Sequence, residues 1–230
     1  MTMLSLLLVL ALSAVDLDIV TLPLSNDLKV ALTPAGRSEL KREGTVTRVK
    51  IDIDRLAVPA TLGPAFNTFV VWAITPEGIV DNLGEMGING VKGQFNATTR
   101  FGQFGILITA EPHYMVDRPS SAVAYRSQTP PELRRKTVPV EVGAYDYSNL
   151  KPLPAAGVLG AVTQARIAIQ IAQAAGADQF ASLDYRNAQV ASGAMEELVT
   201  RAAPLDILWP AANEAIRLSQ RAATSARAKR

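Results

Sequence analysis

Cysteine is absent from the 230 residues, which excludes disulfides, thiolate metal sites and a thiol nucleophile. Histidine occurs once, at His113, so no set of imidazole ligands can form within the chain. Gly-x-Ser-x-Gly does not occur and His113 has no marked nucleophile partner, which removes the Ser-His-Asp reading. Charge is sparse: 19% of residues are charged, with a net charge of +2. A nucleic-acid partner, which calls for a basic stripe, is therefore not expected. The apolar fraction is 48%, enough to bury a sizeable core, and the length suits one or two domains.

The longest apolar run lies at the N-terminus, where Leu4 to Leu12 is interrupted only by Ser5. Leu12-Ser13-Ala14 resembles a signal-peptidase site, and Asp16 and Asp18 follow at once. The run is shorter than the roughly 20 residues that span a bilayer. Residues 1–14 are therefore expected to be a signal peptide, directing the chain to the periplasm with no transmembrane span left after cleavage. Met1-Thr2-Met3 lacks the usual basic residue, so the alternative is a buried N-terminal strand or helix. No Cys marks a lipoprotein site.

Residues 15–43 read as a mixed N-terminal segment with short strands broken by Pro23 and Pro34, and with a charged, solvated stretch at Arg37 to Glu43. Residues 44–150 read as β. Val49, Ile51 and Ile53 alternate with Lys50, Asp52 and Asp54, the period of a strand with one wet face. Phe69 to Ile74 is apolar on both faces, which suits a central strand. Thr75-Pro76-Glu77-Gly78 is a turn signal, and Ile79 to Leu83 can return as a second strand. Phe104, Ile106 and Ile108 mark another strand. Val138, Val140 and Val142 mark one more, with Pro139 pointing to a sheet edge. Short strands at this spacing predict an antiparallel β-sandwich.

Residues 151–156, which include Pro152 and Pro154, read as a linker. Residues 157–230 then read as a three-helix region. The first helix is stopped near Gly176, the second is capped by Asp178 and runs to about Arg201, and the third starts near Pro210. The inward positions of the second and third helices are mainly Ala, which would let them approach closely. The expected fold is thus α+β multidomain, a β-sandwich followed by a helical bundle.

Two runs carry a resemblance. Phe69 to Gly78 leads into Asn82-Leu83-Gly84-Glu85, and Phe104 to Pro112 follows about 20 residues later. This resembles the N-terminal domain of a group of bacterial OmpA-family envelope proteins. Ala165 to Ala177, followed by Phe180-Ala181, is similar to a helical region of unknown function that precedes the peptidoglycan-binding domain in such proteins. The resemblance covers roughly residues 45–230 and implies a cell-envelope location, with an envelope protein or peptidoglycan as partner and homo-oligomerisation as a further expectation. The sequence ends with these helices, as expected of a short form, a truncated gene or a fragment, so the peptidoglycan-binding residues of the OmpA-type C-terminal domain cannot be carried over.

Candidate chemistry is thin. Glu111, His113 and Asp117 could supply three ligands to an open zinc site, but no second His supports them, and His113 reads as structural or solvent-exposed. Asp52 and Asp54 share one strand face and could do acid–base work only if desolvated; beside Lys50 they read as a solvated ladder. Gly84, Gly87, Gly90 and Gly93 precede a strand rather than a helix, so they suit a hairpin and not a phosphate cradle. Asn96-Ala97-Thr98 matches a glycosylation sequon by chance in a bacterial setting. Arg217, Arg221, Arg227, Lys229 and Arg230 could meet an anionic partner, or could simply complement a helix C-terminus. Catalytic, metal and cofactor sites are therefore expected to be none, and ligand-binding residues stay unassigned. The expected function is a non-enzymatic structural or interaction protein of the envelope. The alternative is a glycan- or small-ligand-binding module with a groove near Trp72, Tyr114 or Tyr125; a metal-dependent enzyme around His113 is more remote.

Overall fold

The structure is a computed structural model that describes residues 13–22, 27–129, 132, 136–151 and 160–230. Most of the expected signal peptide and most of the expected linker lie outside these residues; Ser13 and Ala14 begin the first strand. The strands are β1 (Ser13–Thr21), β2 (Asp27–Thr33), β3 (Arg37–Glu43), β4 (Val46–Ile53), β5 (Thr68–Ile74), β6 (Val80–Glu85), β7 (Gly87–Asn89), β8 (Lys92–Thr99), β9 (Gln103–Glu111), β10 (Val123–Gln128) and β11 (Lys136–Val142). All ladders are antiparallel. They join one sheet in the order β11-β1-β9-β10-β2-β3-β4-β8-β7, and β5 pairs with both β9 and β6.

This single sheet corrects the expected sandwich. It branches at β9 and rolls until β8 returns beside β6, where the Thr99 hydroxyl donates to Asp81 at 3.2 Å. The result is close to a barrel. Val30, Leu40, Ile51, Phe69, Phe95 and Ile106, from six strands, share one interior. Alternation alone cannot separate the two architectures, because an inward-facing row looks the same in a sandwich and in a rolled sheet.

β5 and β9 are covered on both faces. Phe69 and Val71 face the interior, while Val70, Trp72, Ile74 and Leu107 pack outside under Leu17, Ile19, Val138 and Val140 of the β1–β11 ribbon. This explains the unbroken apolar run of β5. Full burial of each large side chain contributes roughly 1.5–3 kcal/mol. Gly105 lets the ribbon cross: a Cβ there would stand 2.6 Å from the Asp18 carbonyl oxygen. Pro139 lies on β11, which ends the sheet order as its missing N–H requires. The charged Arg37–Glu43 stretch is strand β3, not merely solvated. Its inward row includes Ser38 and Leu40, and outward Arg37 and Glu39 face Asp52 and Lys50 across the ladder.

Four helices follow, not three: α1 (Gly160–Ala174), α2 (Ala177–Phe180), α3 (Ser182–Thr200) and α4 (Leu205–Lys229). The expected second helix breaks at Ala181, whose φ of −141° and ψ of 45° leave the helical region. The expected third begins earlier, after extended Pro204, and holds Pro210 inside its second turn. α4 buries Leu208, Ala212, Ala215, Ser219, Ala222 and Ala226 along one stripe. These small residues let α1 and α3 both pack against it. The helices meet the sheet where Phe66, Tyr147 and Leu150 pack with Ile167 and Ile171. There Gln164 of α1 donates to Glu85 of β6 at 2.7 Å and accepts the Tyr114 N–H at 2.8 Å.

Candidate functional site

The end of β9 carries the residues with the most reactive side chains, and the fold encloses two of them. Glu111 and His113 are both fully buried. Glu111 Oε1 accepts the hydroxyl of Thr109 and the Ser120 N–H, the latter at 2.7 Å, and Thr109 in turn accepts the Trp72 indole N–H at 2.8 Å. Glu111 Oε2 and both ring nitrogens of His113 have no hydrogen-bond partner among the described residues. Burial pushes the Glu111 carboxyl up to about 8, against the lowering by its bonds from Ser120 and Thr109. Burial also pulls His113 down to about 3, assisted by the charge of Arg227. Both groups are thus held neutral near neutral pH. Asp117 is turned elsewhere, accepting the Tyr145 and Thr224 hydroxyls at 3.3 Å each. Among the described residues no group of three His, Cys, Asp or Glu is placed to hold a metal.

The other sequence candidates are separated from one another. Asp52 is half-buried on the outer face of β4, and Asp54, just beyond the end of that strand, is exposed. Gly87, Gly90 and Gly93 belong to the β7–β8 hairpin, with Gly90 at φ +60° in its turn, whereas Gly84 lies in β6 opposite Val71. Asn96 is exposed on β8. Arg217 pairs with Glu214 at 2.6 Å and Arg221 with Asp184 at 3.1 Å. Trp72 is core. Tyr125 is buried in the rolled sheet with its hydroxyl on the Arg55 carbonyl at 3.2 Å, and Tyr114 bonds Asn213 at the sheet–helix seam.

None of these three aromatics lines the cleft beside Phe66. That cleft, about 450 Å³, lies between residues 63–66 ahead of β5, Ser120 and Ser121 ahead of β10, and residues 143–148 beyond β11. Its aromatic wall is Phe66, Tyr145 and Tyr147. Phe66 meets Tyr147 edge to face at 6.3 Å, and Tyr145 lies 6.4 Å from Tyr147. Tyr145 is held from behind: the Arg227 guanidinium sits 3.5 Å from its ring centroid, and Asp117 accepts its hydroxyl. At the mouth, Asp146 accepts the Ser148 N–H at 2.8 Å, and bonds from Ser148 hold its carboxyl below the usual range. The sequence signal was Tyr145-Asp146-Tyr147-Ser148, two aromatics flanking an acid after the last strand. Periodicity does not report on such loop residues.

The arrangement can hold a small molecule against an aromatic wall with hydroxyl and carboxylate groups at its mouth. No helix of the described residues is long and apolar enough to cross a membrane. Comparison with models of protein families, with curated proteins and with solved structures returns no match.

Proposed function

We propose that the chain is an exported, non-catalytic binding protein of the bacterial cell envelope, with the cleft as its binding site. The observation that carries this reading is the cleft itself. It is concave, walled by three aromatics, and braced from the helical layer by Arg227. Pre-organised aromatic side chains lose little conformational freedom on binding. The burial of Glu111 and His113 supports a structural role for both, because a substrate could reach them only through local opening. The envelope location rests on the apolar run before Ser13 and on the OmpA-like runs at Phe69 to Glu85 and Phe104 to Pro112. Cleavage after Ala14 would remove the Ser13–Val142 and Ala14–Glu141 pairs and take Ser13 from the cleft rim.

Two measurements test this reading. A fragment screen by amide chemical-shift mapping should gather its hits on residues 63–66 and 143–148; hits gathered elsewhere would refute the site. Fractionation with intact-mass analysis should find a form beginning near Val15 in the periplasm or outer-membrane fraction. An uncleaved cytoplasmic form would refute export.

A second reading is self-association through the helical layer. Leu183 and Val190 on α3 are 71% and 68% exposed, and Leu205 and Trp209 on α4 are 65% and 57% exposed. Light scattering on the purified protein would give a dimer mass if these exposed residues pair, and a monomer mass if they do not.

A further inference from the structure

We propose that the ligand of the cleft is a neutral carbohydrate of about disaccharide size. This rests on the binding-protein reading and adds the ligand class to it. A sugar presents apolar C–H faces and a rim of hydroxyls that donate and accept, and the cleft offers a counterpart to each. Phe66 and Tyr145, both half-buried, supply apolar ring surface. Tyr147 is only 8% exposed, lines the cleft, and its hydroxyl makes no hydrogen bond to any described residue. That oxygen is not one of the sealed polar atoms, so it can donate to and accept from a molecule in the cleft. Asp146 is held as a carboxylate by Ser148 and can accept a pair of vicinal hydroxyls, while the Ser121 hydroxyl bonds in either sense and the Ser148 hydroxyl, which donates to Asp146, can accept.

Other ligand classes fit less well. No Lys or Arg lines the cleft among the described residues, and Asp146 would repel an anion, which disfavours phosphates, carboxylates and acidic peptides. An organic cation would meet aromatic rings, but Arg227 already sits over the Tyr145 ring, and its charge opposes a second cation beside it. A purely apolar ligand would leave the Tyr147 hydroxyl without a partner. The volume, about 450 Å³, lies within the range of small-molecule sites.

The test uses the purified chain titrated separately with cellobiose, maltose and N,N′-diacetylchitobiose, with acetate and choline as charged comparators, read by amide chemical shifts. At least one disaccharide should give saturable shifts at residues 63–66 and 145–148, and neither comparator should. Tyr147→Phe, which keeps the packed ring, and Asp146→Asn should each weaken that disaccharide about fivefold to tenfold, the loss expected for one ligand hydrogen bond, with melting temperature unchanged. Saturable binding by choline or acetate but by no disaccharide would overturn the carbohydrate assignment. So would a disaccharide whose affinity is the same in both variants. If fragments occupy the cleft and none of the sugars does, the ligand class fails while the binding-site reading stands; if neither binds there, both fail.

Discussion

Two segments that leave the same sheet meet opposite fates. Glu111-Pro112-His113, at the end of β9, has the side chains that invite a mechanism, and it is buried without remainder. Tyr145-Asp146-Tyr147-Ser148, beyond β11, has no histidine to act as base and lines the open cleft. Residue type therefore says little about function until burial is known. The buried segment carries unpartnered polar atoms that weigh on folding, whereas the open segment has polar atoms free to meet a ligand.

The largest effect that sharpens this contrast is the pH dependence of stability. The Glu111 pKa is raised on folding, from 4.5 to about 8. Its contribution is full below pH 4.5 and is lost as pH rises toward 8. The His113 pKa is lowered on folding, from 6.5 to about 3. The folded state therefore loses stability relative to the unfolded state as pH falls from 6.5 toward 3. The two groups oppose each other between pH 4.5 and 6.5, so their joint contribution is greatest there. From pH 6 to 9 the protein should lose on the order of 3 kcal/mol through Glu111. Urea unfolding of Glu111→Gln should lack that alkaline loss, and His113→Leu should lack the corresponding acid loss. A wild-type difference from both variants that is flat with pH would show that neither group is sealed.

A smaller effect is expected at the brace between the two regions. Asp117→Ala removes the acceptor for Tyr145 and Thr224 and the carboxylate 3.9 Å from Arg227. Asp117 is partly exposed, so denaturant unfolding should show a loss of only about 0.5–1 kcal/mol. Amide shifts at Tyr145 should move as its ring loosens. The smallest effect belongs to the cleft mouth: Asp146→Asn and Ser148→Ala should leave stability within about 0.5 kcal/mol of wild type. A large loss there would mean that the open segment is part of the core after all.

How far the sequence is legible follows the same division. β4, β5, β8, β9 and β11 are readable because their periodicity or unbroken apolar character reflects which faces are buried. β3 is not, because one of its inward residues is Ser38 and its outward row is charged. The rolled sheet is also illegible, since closure depends on which strands β9 and β5 pair with, and alternation is silent about partners. The break at Ala181 lies in a stretch with no Gly or Pro to mark it. Tyr145 and Tyr147 were missed because their roles come from Arg227 and Phe66, which are 82 and 79 residues from Tyr145 in the sequence. The setting of His113 likewise depends on chain remote from it, since the charge of Arg227 adds to the effect of burial.

Hydroxyl-radical footprinting with mass spectrometry of the native protein tests the contrast most directly, because it offers both segments the same reagent. The account predicts oxidation of Phe66 and Tyr145, with His113 protected until the protein unfolds. Native His113 oxidised as readily as Tyr145 would contradict it.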